Sequence, residues 1–184
     1  MAHDRSRIFP GLILALAATL AGCGTTEPSR FFQLSAKTTA PPEPKSGGPA
    51  WAVREVKLPR YLDRSQMIVR KSAHEIELDE YNRWAEPLDA GMARVLQASK
   101  TADATEAWRV DIEVLVFDVD EAGEAVLEAA WSARPPRTGP AAAGSFRGTR
   151  KAAGKEPEAG VAALSALVAE LGDSITEALR LEKP

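Results

Sequence analysis

In the segment WRVDIEVLVFDVD, positions 108–120, branched apolar side chains recur at every second place. Val110, Ile112, Val114 and Val116 share one face of an extended chain, while Arg109, Asp111 and Glu113 begin the other, which turns apolar at Leu115 and Phe117. A helix would scatter these residues around its axis. The segment therefore predicts a strand whose first face is core throughout and whose far end is covered on both sides. Glu121-Ala122-Gly123 supplies a turn, and EAVLEAAWSARP resumes the alternation with Ala125, Leu127, Ala129 and Trp131 on one side. Two such strands joined by so short a turn form a long antiparallel hairpin. A chain built around it must contain a sheet, and the other segments decide what covers it.

WAVREVKLP, from Trp51, reads as a strand with Ala52, Arg54 and Val56 on one face and Val53, Glu55 and Lys57 on the other, ended by Pro59. MIVRK (67–71) and HEIEL (74–78) flank Ser72-Ala73 and suit a second hairpin. The Pro- and Gly-rich RPPRTGPAAAG precedes SFRGTRKAA, a short polar edge strand whose basic residues discourage edge-to-edge association. Two segments carry helical spacing. In DAGMARVLQASK, Leu88, Met92, Val95 and Leu96 line one side of about three turns; after Pro157, Val161, Leu164, Leu167, Val168, Leu171, Ile175, Ala178 and Leu179 form a longer stripe. Strands, helix, strands, helix, with hairpins dominating, predict a single α+β domain: a mostly antiparallel or mixed sheet with two helices packed on one face.

The first residues have to be set apart from the fold. Residues 1–22 begin with Arg5 and Arg7 in a polar stretch, continue as an apolar run from Gly11 to Leu20 and end in small residues, the pattern of a secretory signal. The run is shorter than the roughly 20 residues a membrane-spanning helix needs. Leu20-Ala21-Gly22-Cys23 resembles the bacterial lipobox, in which the cysteine thiol receives a diacylglyceryl group and the signal is cut before it. Cys23 is the only cysteine of the chain and stands where lipidation requires one. Several acyl chains make such an anchor stable. By the sorting rule of lipoproteins, Gly24 in place of aspartate implies the outer membrane, facing the periplasm of a Gram-negative cell. Residues 23–30 are then a lipidated tether and 31–184 the domain, with 37–50, KTTAPPEPKSGGPA from Lys37, as a flexible loop. Fully extended, GTTEPSR (24–30) reaches only about 25 Å. If Phe31-Phe32-Gln33-Leu34 docks in the fold, the domain stays close to the bilayer; if that cluster belongs to the tether, the constraint disappears.

Removing 22 residues from 184 leaves 162, enough for one domain with a sizeable core. The signal carries two of the 23 Lys+Arg and one of the 26 Asp+Glu, so the mature chain has a formal charge of −4 and no basic excess that would point to nucleic acid. With Cys23 lipidated there is no disulfide, and packing must supply the stability.

Catalytic chemistry finds few residues to work with. After processing, the single histidine is His74, in a charged hairpin, with neither a second histidine nor a free thiol to share a metal. The carboxylate runs Glu77-Leu78-Asp79-Glu80 and Asp118-Val119-Asp120-Glu121 fall at strand ends and turns, where charge is ordinarily solvated, and the second lacks the twelve-residue ligand pattern of a calcium loop. No Gly-rich phosphate loop joins a strand to a helix. The reading is of a protein without catalytic residues, metal or cofactor. Trp51, Trp84, Trp108 and Trp131 sit where ring burial is the usual role. In NRWAEPL (82–88), Pro87 fits the first turn of a helix, Glu86 places a negative charge near its positive end, and Trp84 closes over that turn against Leu88.

Taken in order, FFQL, LPRYLDRSQMIVR, RWAEPLDAGMARVL, WRVDIEVLVFDVDEAGEAVLEAAW and VAALSALVAELGDSITEAL resemble the ABC-type transport auxiliary lipoprotein family of the PqiC type over positions 31–182. The specific parts are Leu58 to Arg64 and Arg83 to Leu88. Phe31 and Phe32 stand where the family usually has paired tyrosines, and Arg134 to Lys155 is unusually rich in Gly, Pro and Ala. The resemblance implies a non-catalytic, outer-membrane-anchored subunit of a system moving lipid between the two membranes and supporting envelope integrity. It implies as partners an inner-membrane permease and a periplasmic MCE-domain subunit, and leaves homo-oligomerisation open. The residues that it marks and burial does not explain, Arg60, Tyr61, Asp63 and Arg64, are candidates for docking that assembly. A surface loop held by local salt bridges would explain them equally well. A cell-wall lipoprotein that binds or activates peptidoglycan-building enzymes, and a periplasmic lipid carrier, remain the alternatives.

Overall fold

The computed structural model describes residues 27–36, 49–98 and 107–182. The signal segment, Cys23 and most of the 37–50 loop lie outside them. Seven strands, β1 (Arg30–Phe32), β2 (Trp51–Lys57), β3 (Gln66–Arg70), β4 (Ile76–Trp84), β5 (Trp108–Asp120), β6 (Glu124–Arg134) and β7 (Ala142–Lys151), form one mixed sheet in the order β1-β4-β3-β5-β6-β7, with β2 also on β5. Two helices, α1 (Leu88–Ala98) and α2 (Pro157–Leu181), pack on one face of it. The expected α+β architecture and both hairpins are present.

β5 organises the sheet. One edge carries β6 along nearly its whole length; the other is shared end to end by two parallel strands, β2 beside Trp108–Glu113 and β3 beside Val119–Asp120. Because β2 and β3 run in the same direction along one edge, residues 58–65 between them occupy the gap rather than turn the chain back. This split strand places the LPRYLDR segment against the middle of β5.

The alternation predicted for β5 is broken by a bulge between Val114 and Val116. Val110, Ile112 and Val114 face the helices, as expected, but the extra residue turns Val116 outward beside Glu128 and brings Phe117, paired with Leu127, into the core. Leu115 is left exposed on the bulge. A second bulge, between Val53 and Glu55, corrects the faces of β2: Val56 joins Val53 and Trp51 on the core side, and Arg54 points out to Asp111. A third sits on β4, where Met67 pairs with Asp79 and Gln66 with Arg83. There the Asp79 carboxylate accepts the backbone N–H groups of Tyr81 and Asn82 at 3.1 and 2.9 Å. His74 lies in the exposed β3–β4 loop rather than on a strand.

β7 is longer than the short edge strand expected, because the small residues before Ser145 continue the ladder. Their smallness has a use. A Cβ on Gly144 would come within 2.7 Å of the Trp131 ring, and one on Gly148 within 2.8 Å of Leu167 on α2. Glycine at both places lets Trp131 lie across β7 and lets α2 approach the sheet. The small-residue bias of that region thus has a packing cause. By length and composition α2 could cross a membrane, yet its apolar stripe is spent on the sheet and on α1: Leu164, Leu167, Val168, Leu171, Ile175 and Leu179 are all buried.

The FFQL cluster is docked. β1 pairs in parallel with the end of β4, Phe32 accepts the Ala85 N–H at 2.7 Å, Leu34 is buried, and Ser35 donates its N–H to the buried Ser165 hydroxyl at 3.1 Å. The chain is therefore fixed to the fold over residues 30–35.

Candidate functional site

The two segments with the most specific sequence pattern, remote in the chain, meet. Residues 58–65 fold as successive turns: Leu62 donates its N–H to the Pro59 carbonyl at 2.9 Å and Arg64 to that of Leu62 at 2.8 Å. Leu62, 3% exposed, pins the loop to the core, while the Tyr61 hydroxyl donates to the Leu115 carbonyl at 3.1 Å and so holds the loop to the β5 bulge. Burial and the nearby Asp118 and Glu128 carboxylates push the Tyr61 phenol above its ordinary range. The end of the loop joins β4, where Ser65 accepts the Trp84 N–H at 2.6 Å.

Residues 63–65 and 84–88 line an open groove of about 320 Å³. Its floor is apolar, from Trp84, Pro87 and Leu88; Asp63, Arg64 and Glu86 form its rim. Trp84 is the last residue of β4; its ring lies 6.2 Å from that of Phe117, and it lines the groove together with Leu88 at the start of α1. Glu86 is engaged by Arg94 of α1, whose Nη2 also donates to the Leu34 carbonyl at 2.8 Å. Pro87 directly precedes α1, and its carbonyl accepts the Gly91 N–H at 3.0 Å.

The four candidate docking residues divide in two. Tyr61 is committed to the Leu115 carbonyl, and Arg64 donates Nε to the Tyr61 carbonyl at 2.8 Å while staying exposed. Arg60 and Asp63 are exposed, with no hydrogen bond or ion pair among the described residues. They are charges on a loop whose backbone is fixed.

Behind the loop lies a polar layer on the outer face of the sheet. Asp118, 4% exposed, accepts from Arg70 Nε at 2.9 Å, and Asp120 stands 3.7 Å from the same guanidinium. Burial raises the Asp118 carboxyl above its ordinary value although Arg70 pulls it down; the guanidinium, held by the same contact, is raised in turn. At the far end of β5, Arg54 makes two 2.6 Å bonds to Asp111 and Arg134 a third at 3.1 Å, so the Asp111 carboxyl is held below its ordinary value. Sequence spacing gave no sign of the Arg70–Asp118 and Arg94–Glu86 pairs, since the first depends on the parallel pairing of β3 with β5, 48 residues apart, and the second spans eight residues across the start of α1.

The carboxylate runs have structural employment. Asp79 caps the β4 bulge, Asp120 accepts the Glu124 N–H at 2.8 Å in the β5–β6 turn, and Glu121 accepts from Lys71 at 2.6 Å. Asp79, Asp120 and Glu121 border a second pocket, of about 190 Å³, beside the start of α2. No three His, Cys, Asp or Glu side chains among the described residues are grouped to hold a metal. The tryptophans pack as expected: Trp51, Trp84 and Trp131 are buried, Trp108 lies against the core, and Trp51 donates Nε1 to Thr176 Oγ1 at 3.0 Å.

A family model described as the ABC-type transport auxiliary lipoprotein component matches residues 32–176. No curated protein matches the chain. Among solved structures, an uncharacterized protein superposes with a TM-score of 0.67 at 18% identity, covering 82% of this chain and 98% of its own. A Xanthomonas campestris protein of the family DUF330 gives 0.66 at 18% identity, covering 82% and 95%. These two likenesses establish the fold; the family match extends over both segments that form the groove.

Proposed function

The chain belongs to the ABC-type transport auxiliary lipoprotein family, and from that premise we propose that it is the non-catalytic, outer-membrane-anchored subunit of an MCE-type system that moves lipid between membranes and supports envelope integrity. Membership makes it a transport-associated lipoprotein of the cell envelope. The finer reading adds acylation at Cys23, a periplasm-facing domain, and docking to a periplasmic MCE-domain subunit that itself meets an inner-membrane permease. Arg60, Asp63 and Arg64 offer the charged contacts for that docking, and the groove beside them accepts an apolar side chain from the partner.

The observation that carries this reading is the convergence of the two most specific segments on one exposed groove, next to charges that the fold leaves unpaired. A loop kept only to plug the gap between β2 and β3 needs Leu62 and Tyr61; it has no use for Arg60 and Asp63. A lipid carrier would need an apolar cavity, and the two pockets described among residues 27–36, 49–98 and 107–182, of about 320 and 190 Å³, are open and at or below the lower end of the small-molecule range. Docking therefore has more support than carrying. Affinity purification of the intact lipoprotein from solubilised envelopes should recover an MCE-domain subunit and a permease. Recovery of peptidoglycan synthases in their place would transfer the reading to the cell wall.

A further inference from the structure

The path from β1 to β7 ends in an outer edge on each side, and β1, the one nearest the anchor, carries an unusual side chain. Phe31 is 64% exposed although it is paired in register with β4. Its register partner on β4 is Arg83, which stands 3.9 Å from Glu80; Tyr81 lies two residues earlier on that strand and is 42% exposed; and Arg30, half exposed, lies on the other face of β1, over the Phe32 ring and 4.0 Å from Glu156. Aromatic rings flanked by arginines form the composition that settles at a bilayer surface, rings among the headgroups and guanidinium groups on the phosphates.

Chain length decides what such an edge meets. Residues 24–30 span at most about 25 Å, and β1 cannot drift from the domain, because the bonds from Ala85 to Phe32, from Arg94 to Leu34 and from Ser35 to Ser165 fix it. If Cys23 is acylated, Phe31 is held within one short tether of the membrane. We propose that the β1 edge is a second membrane contact: Phe31 and Tyr81 enter the headgroup region of the anchoring bilayer, Arg30 and Arg83 meet its phosphates, and the sheet stands on this edge. The alternative is an end-on stance, resting on the β3–β4 loop and the β5–β6 turn. That end presents Glu75, Glu77, Glu121 and Glu124 against Lys71, Lys151 and Lys155, and among the described residues it exposes no aromatic ring to enter the headgroups. Edge-on, β7 is about 24 Å farther from the bilayer than β1, five strand spacings away.

The contact rests on the lipoprotein reading, and the experiment separates the two. The full-length lipoprotein carrying Phe31→Trp, and a second carrying Thr149→Trp on the outer side of β7, are reconstituted into vesicles of phosphatidylethanolamine and phosphatidylglycerol with brominated acyl chains. The emission of the four native tryptophans is subtracted. The added emission at position 31 should be quenched severalfold more than that at 149, and the mature N-terminal peptide from the same vesicles should carry acyl groups on Cys23. Equal quenching at the two positions, or none at 31, in an acylated protein overturns the contact and leaves the anchor standing. An unmodified Cys23 removes the anchor and the contact together.

Discussion

The helix-covered face of the sheet and the β2–β3 junction on its other side are built from opposite materials. On the first, Val110, Ile112, Val114, Leu127, Trp131 and the stripe of α2 bury apolar surface, and glycines on β7 bring the layers together. At the junction a polar loop is held by one buried leucine, a tyrosine hydroxyl and turn hydrogen bonds, over an arginine–aspartate pair, and it leaves Arg60 and Asp63 facing solvent. Burial stabilises in proportion to area, whereas exposed charges contribute little to stability. The first region therefore sets whether the chain folds, and the second can change what it binds without unfolding it.

Substitutions can break that division. Trp84 closes the core beneath the groove and is 8% exposed, so Trp84→Ala should cost about 3–5 kcal/mol in chemical denaturation. Arg70→Met removes the partner of a buried carboxylate and should cost a similar ~3–5 kcal/mol at neutral pH, with a characteristic pH dependence. Burial already places the folded Asp118 carboxyl above its ordinary 3.8, and loss of Arg70 raises it further. The native state then takes up this proton before the unfolded state does, so the deficit of the variant should shrink as pH falls toward 3.8. Asp111, held low by Arg54, has the opposite sign: its stabilisation is present above the ordinary value and disappears below it. A deficit in Arg70→Met that is constant with pH would show that Asp118 is not the group responsible. Gly144→Ala pushes a methyl into the Trp131 ring and should cost about 1–3 kcal/mol, read as a lowered melting temperature. Tyr61→Phe loses one hydrogen bond to Leu115, worth about 1 kcal/mol. A larger loss would make the loop part of the core and blur the contrast between the two regions.

The apolar region was the legible one. Period-two alternation identified β5 and β6, and the period-3.6 stripes identified both helices, because burial imposes a repeat on the chain. The bulges escaped that logic. Whether Val116 or Phe117 faces the core depends on one extra residue opposite Ala129 and Glu128, a decision made between strands. Glycines 144 and 148 could be read only as a compositional bias, since their purpose lies in Trp131 and Leu167, each distant in the chain. The groove was half legible: both of its segments stood out in the sequence, but the reason they adjoin, a strand split between β2 and β3 on one edge of β5, is topological.

One comparison of variants tests most directly whether the junction is a docking surface. Arg60→Glu combined with Arg64→Glu gives up one exposed hydrogen bond, from Arg64 to the Tyr61 carbonyl, and should leave stability within about 1 kcal/mol of the parent, while co-purification of the MCE-domain subunit from the envelope collapses. Unchanged recovery of that subunit, with the fold intact, would contradict the account.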